Sequence, residues 1–168
     1  MPKLPPSSKS HPQHGKHDHR ACIARAVAKA EALCRDRGVR LTELRRRVLE
    51  LVWRAHEPIG AYGVLELLRA ENSSAAPPTV YRALDFLVEQ GLVHRVESRN
   101  AYIGCIRPEK PHVCQYLVCR TCGTTAELND ARLASAITRS AAAAGFEVGT
   151  QAIEVVGLCD QCRDTAAK

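Results

Sequence analysis

Residues 112–127, HVCQYLVCRTCGTTAE, concentrate metal-binding chemistry in one short span. Cys119 and Cys122 form a C-x-x-C pair, and a second pair, Cys159 and Cys162, follows 40 residues later. Each pair closes a compact loop, and four thiolates complete a tetrahedron around zinc with no position left for a substrate. Such a site is structural. Five further residues offer donors of the right kind: His94, Cys105, His112, Cys114 and Glu127. A set of two imidazoles, one thiolate and one carboxylate would be formally neutral with a zinc dication. Its mixed donors would release the ion more easily than four sulfurs do. Spacing alone does not choose among the five.

The compartment must allow thiols to stay reduced. The N-terminal stretch MPKLPPSSKSHPQHGKHDHR has no apolar run, so no signal peptide is expected. No segment approaches the ~18 consecutive apolar residues of a membrane span. A cytoplasmic protein is therefore expected, in which the eight cysteines serve as metal ligands or small core residues. The tail's His11, His14, His17 and His19 can hold metal only weakly, and residues 1–20 are expected to be disordered. Charge is uneven: residues 1–98 carry a net +5 and residues 99–168 a net +1. A basic half beside a near-neutral, cysteine-rich half fits a polyanion-binding module joined to a metal-binding one.

The elements that would position these residues follow from periodicity. Apolar residues at helical spacing predict a helix over 22–37, stopped by Gly38, and a second helix capped by Thr42 with Leu44, Val48, Leu51 and Val52 inward. Arg45, Arg46, Arg47 and Arg54 fall mostly off that face, available to phosphates or water. After a break at 57–60, a third helix covers 61–70 with Val64, Leu65, Leu67 and Leu68 inward. A fourth runs from about Pro78 to Gln90, with Val80, Ala83, Leu84, Leu87 and Val88 on the buried side. Strands at 92–96 and 101–106 flank a turn. Three helices, a recognition-type helix and a hairpin make a winged helix-turn-helix, whose second motif helix enters the major groove. Tyr81 and Arg82 lie outward in its first turns, where arginine can pair with guanine and tyrosine with a thymine methyl or a phosphate. Beyond Pro111 the pattern is strand (113–118), knuckle (119–123), short strand (124–128), Ala-rich helix (130–144) and strand (146–156). That part is small enough to need a metal for stability.

The motifs RLT at 40–42 followed by Arg45, PPTVYRALDFLVEQGLVHRVES at 77–98, C-x-x-C-G at 119–123 and C-x-x-C at 159–162 together resemble the ferric uptake regulator family. The likeness spans roughly residues 20–165, and its closest branch is the zinc uptake regulators. The resemblance implies an α+β chain: a winged-helix DNA-binding domain at 21–104, a hinge at 105–112, and a small α/β dimerisation domain at 113–168. It implies two zinc ions per chain: a structural one on Cys119, Cys122, Cys159 and Cys162, and a regulatory one on His94, Cys105, His112 and Glu127. Contacts with double-stranded operator DNA are implied for Tyr81, Arg82, Thr79 and Arg45. The expected function is a zinc-responsive repressor of zinc-homeostasis genes that binds its operator as a homodimer. A single histidine before the first C-x-x-C, with a thiolate at Cys105, favours zinc over iron. The family's usual Pro-Gln after RLT is replaced by Glu43-Leu44.

Other functions are weighed against this one. A family sensor of iron, manganese or peroxide would share the fold, and a constitutive DNA-binding protein would hold only the structural zinc. A zinc enzyme is not expected, because no H-E-x-x-H occurs and no H-x-E accompanies a P-C-x-x-C. Neither a membrane nor a small-molecule substrate is expected as a partner.

Overall fold

The computed structural model describes residues 19–55, 57–71, 75–109, 113–128, 130–149 and 151–166. They divide into two compact units, one within His14–Pro111 and the other within His112–Lys168. The expected disordered tail falls largely on residues 1–18, outside the described set. Helix α1 starts three residues before its expected range, running His19–Asp36, so that His19 and Arg20, expected in the tail, are helical.

The first unit is built by four amphipathic helices. α1 buries Val27, Ala30 and Cys34, one residue per turn on a single face. It ends where Gly38 takes φ +66 and the Val39 N–H reaches back to the Cys34 carbonyl at 2.9 Å, a closure that favours glycine. α2 (Glu43–Arg54) is capped by Thr42, whose hydroxyl accepts from the Arg45 N–H, and buries Val48, Leu49, Leu51 and Val52. α3 (Ala61–Ala70) buries Val64, Leu65 and Leu68. α4 (Pro77–Glu89) starts on two prolines, which its first turn tolerates. It packs on both α2 and α3.

Two inward assignments are corrected. Leu67 and Val88 are each 37% exposed, and the buried positions go instead to Leu49 and Phe86. Apolar side chains outnumber core positions on these short helices, so the neighbouring helix decides which are covered. The arginines of α2 are also less available than expected. Arg46 pairs with Glu31 and Glu50, Arg47 with Glu50 and Glu71, and Arg54 with Glu71. Leu84 has no exposure at all in the core of this unit. Leu84→Ala is expected to destabilise the unit by ~2–5 kcal/mol, read from denaturant unfolding.

The sequence break at 57–60 is partly a strand. β1 (Ile59–Gly60) pairs antiparallel with β3 (Ala101–Gly104), which also pairs with β2 (Val93–Val96), giving the order β1-β3-β2. Two residues are too few to announce a strand by alternation. The β2–β3 connection is a 3-10 turn over Glu97–Arg99 closed by Asn100 at φ 45. Helices α2–α4 and this hairpin form a winged helix-turn-helix.

The second unit is a three-stranded sheet in the order β5-β4-β6. β4 (Cys114–Cys119) pairs antiparallel with β5 (Thr125–Glu127) and parallel with β6 (Ala152–Gly157). A parallel partner demands a crossover, which α5 (Ala131–Ala143) supplies. Buried Gln115 ties down the entry to this helix: its amide donates to the Asp130 carbonyl at 2.9 Å and accepts from the Asp130 N–H at 3.2 Å. The strand expected over 146–156 is shorter and begins at Ala152. A final helix, α6 (Asp160–Ala166), begins directly after Cys159, carries Cys162 in its first turn and is unannounced in the sequence. α5 buries no residue completely, and Leu117, Phe146, Val155 and Val156 are 43–69% exposed. The overall class is α+β, with the winged helix first and the small α/β unit second.

Candidate metal centre and nucleic-acid interface

The parallel pairing of β4 with β6 builds the metal centre. Cys119 ends β4 opposite Gly157, so the knuckle after one strand meets the loop after the other. The sulfurs of Cys119, Cys122, Cys159 and Cys162 all lie within 4.8 Å of one another. Cys122 Sγ stands 3.7 Å from Cys159 Sγ. A zinc–sulfur bond of about 2.3 Å implies tetrahedral S···S edges of about 3.8 Å, so the donor set fits zinc. Among the described residues this is the one group of three or more such donors.

Backbone geometry prepares the thiolates. Gly123, at φ +80, donates its N–H to the Cys119 carbonyl at 2.9 Å, and the Cys119 N–H reaches the Thr124 carbonyl at 2.9 Å. The Cys159 N–H points at Cys119 Sγ from 3.4 Å. Donation from the Cys122 and Cys159 amides draws the Cys119 thiol down to about 5. Thr124, 3.2 Å from Cys122 Sγ, lowers that thiol too. Cys162, facing Cys159 and Cys122, is pushed up to about 12. Four neighbouring sulfurs cannot all ionise unaided, and a dication among them removes the conflict. Gly123 enters the sequence reading only as the end of the C-x-x-C-G motif, and Thr124 carries no signal of its own there.

The residues expected to hold a second metal fall in both units. His94 pairs with Ile103 across the β2–β3 ladder, and Cys105 extends that ladder by donating its N–H to the Leu92 carbonyl at 3.0 Å. Alternation then puts His94 and Cys105 on one face of the hairpin as diagonal neighbours. Cys105 is buried and His94 half-buried. Glu127 stands on β5 opposite Tyr116, diagonal to Cys114. Burial first, and then the charge of Glu127, push the Cys114 thiol up to about 11. His112 lies outside the described residues.

On α4, Thr79, Tyr81 and Arg82 are exposed over the first turns, while Val80, Ala83 and Leu84 hold the opposite side in the core. Arg45 does not project freely. Its guanidinium stacks 3.6 Å over the Phe86 ring and donates to the Arg40 carbonyl at 2.7 Å, bracing α2 against α4.

A winged helix-turn-helix followed by a small sheet unit with a four-thiol cluster is the architecture of metal-sensing regulators. The chain belongs to the ferric uptake regulator family, whose profile matches residues 36–156. It is 42% identical over 142 residues to the zinc uptake regulation protein of Escherichia coli (strain K12), spanning 84% of this chain and 83% of that one. The zinc uptake regulation protein of Mycobacterium tuberculosis (strain ATCC 25618 / H37Rv) is 30% identical over 129 residues, 75% of this chain and 96% of that one. A solved zinc uptake regulator complexed with zinc and DNA superposes with a TM-score of 0.80 at 41% identity, covering 87% of this chain and 98% of the other. The resemblance read from the motifs is thereby established.

Proposed function

We propose that this chain is a zinc-responsive transcriptional repressor that binds operator DNA as a homodimer when its regulatory zinc is in place. The observation that carries this reading is the likeness, over most of both chains, to a regulator solved with zinc and DNA. Two zinc ions per chain serve it. Cys119, Cys122, Cys159 and Cys162 hold the structural ion, which supplies folding free energy. His94, Cys105, His112 and Glu127 hold the regulatory ion, drawing donors from both sides of a hinge at 105–112. Among the described residues no helix is long and apolar enough to cross a membrane.

The chain's own groups divide the work. His94 and Cys105 present an imidazole and a thiolate from the wing hairpin, while Glu127 presents a carboxylate from the second unit. Bridging them restricts the spacing of the two winged helices of a dimer to one that matches successive major-groove half-sites. Thr79, Tyr81 and Arg82 face the DNA from α4, and Arg45 offers its remaining donors to the phosphate backbone from its place on Phe86. The exposed apolar side chains of the second unit supply the surface for a second copy.

Operator binding with zinc added, then chelated, tests the proposal: affinity is expected to fall on chelation, and equal affinity in both states would sink it. Counting zinc per chain before and after mild chelation should give two and then one. Iron or manganese retained after mild purification would point to a different signal. Arg82→Ala is expected to relax specificity at one base pair by ~1–3 kcal/mol, seen by titrating operator variants. A uniform loss over all sequences would reassign Arg82 to a phosphate.

A further inference from the structure

Trp53, the single tryptophan of the chain, lies on α2 with its indole closed against the backbone of β3. A Cβ built on Gly104 would sit 2.4 Å from Trp53 Nε1 and 2.5 Å from its Cε2. Only glycine admits the ring at that position. Gly104 immediately precedes Cys105, and it pairs with Val93, which immediately precedes His94. Alternation along the two strands puts Val93, Tyr102 and Gly104 on one face and His94, Ile103 and Cys105 on the other. Val93 and Tyr102 belong to the helical core, so the indole presses on the ligand-bearing strands from the side opposite the ligands.

The place matters because the ladder ends here. β2 begins at Val93 and β3 stops at Gly104, with the bond from the Cys105 N–H to the Leu92 carbonyl as the last rung. Terminal rungs open most easily. A large flat ring seated on the backbone at that point holds both strand ends against the helices.

We propose that Trp53 is a positioning residue for the regulatory metal: by filling the slot left by the missing side chain of Gly104, it holds His94 and Cys105 at ligand spacing. This inference rests on the assignment of those two residues to the regulatory site. Groups that orient metal ligands from behind typically change affinity about 10–100-fold when removed. The contact also joins the site to α2, the helix that Arg45 braces against the recognition helix.

The test uses the full chain with the four-cysteine site filled by zinc and cobalt(II) titrated as the second metal. The wild type is expected to take up one further equivalent, with a thiolate-to-cobalt charge-transfer band and a change in Trp53 emission. Gly104→Ala, which cannot keep the ring in place, and Trp53→Ala are each expected to weaken that uptake about 10–100-fold and shift the band. Trp53→Phe, keeping a flat ring, should retain most of the affinity. The pair Gly104→Val with Trp53→Ala, which moves bulk across the contact, should recover part of it. Without the second metal, the near-ultraviolet dichroism of the indole should already be reduced in Gly104→Ala. Folded Gly104→Ala and Trp53→Ala chains that bind cobalt with wild-type affinity and an unchanged band would overturn the inference. A wild type that takes no second cobalt would instead remove the regulatory site itself.

Discussion

Cys119→Ser is expected to cost the chain one tightly held zinc and to unfold the second unit. The apolar burial there is small: among its described residues Tyr116, Val118 and Cys119 are the buried hydrophobic ones, and α5 contributes none. Structural zinc supplies an apparent ~10–16 kcal/mol in small metal-dependent units, more than such a core can replace. Cys119 is also the thiolate toward which the knuckle and the β6 loop aim their amides, so its loss opens both loops together. A serine hydroxyl is a poor donor for a borderline-soft ion. Metal analysis should fall by one zinc per chain, with loss of the sheet unit's dichroism and of the dimer in sedimentation. The winged-helix unit has its own core and should stay folded. A normal dimer with full zinc content would refute the structural assignment.

Cys105→Ala should act on the switch and leave the folds intact. Its side chain is buried, yet the role of the residue in the ladder runs through its backbone N–H, which alanine retains. The variant is therefore expected to keep the structural zinc and to melt close to the wild type. Its operator affinity under saturating zinc should drop to the level of the metal-free protein. Allosteric coupling of ~1–3 kcal/mol makes that loss about 5- to 150-fold, and by linkage DNA should no longer tighten zinc binding. Fluorescence anisotropy of labelled operator against buffered zinc reads both. If the zinc response survives, the thiolate role passes to Cys114, which stands diagonal to Glu127 on the β4–β5 ladder.

The four-thiol centre was legible because the chemistry is written in the spacing of C-x-x-C pairs, and the recognition helix because Tyr81 and Arg82 stand opposite an apolar stripe. The arginines of α2 were misread for the same reason. Periodicity reports which side of a helix is polar, but not whether a glutamate from another helix waits there, as Glu71 does for Arg47 and Arg54. Phe86 rather than Val88 enters the core because α2 and α3 cover that side of α4, which no single segment encodes.

The sequence by itself determined the two units, the family, the four sulfurs and the outward face of α4. Each depends on residue type and on spacing within one segment. Only the tertiary structure decided how the sulfurs meet, through the parallel pairing of β4 with β6 across the α5 crossover. It alone placed His94 and Cys105 as neighbours, through a ladder register, and set Trp53 against Gly104, residues 51 positions apart. These are contacts between segments distant along the chain, and they are fixed by packing shape, which composition and periodicity do not encode.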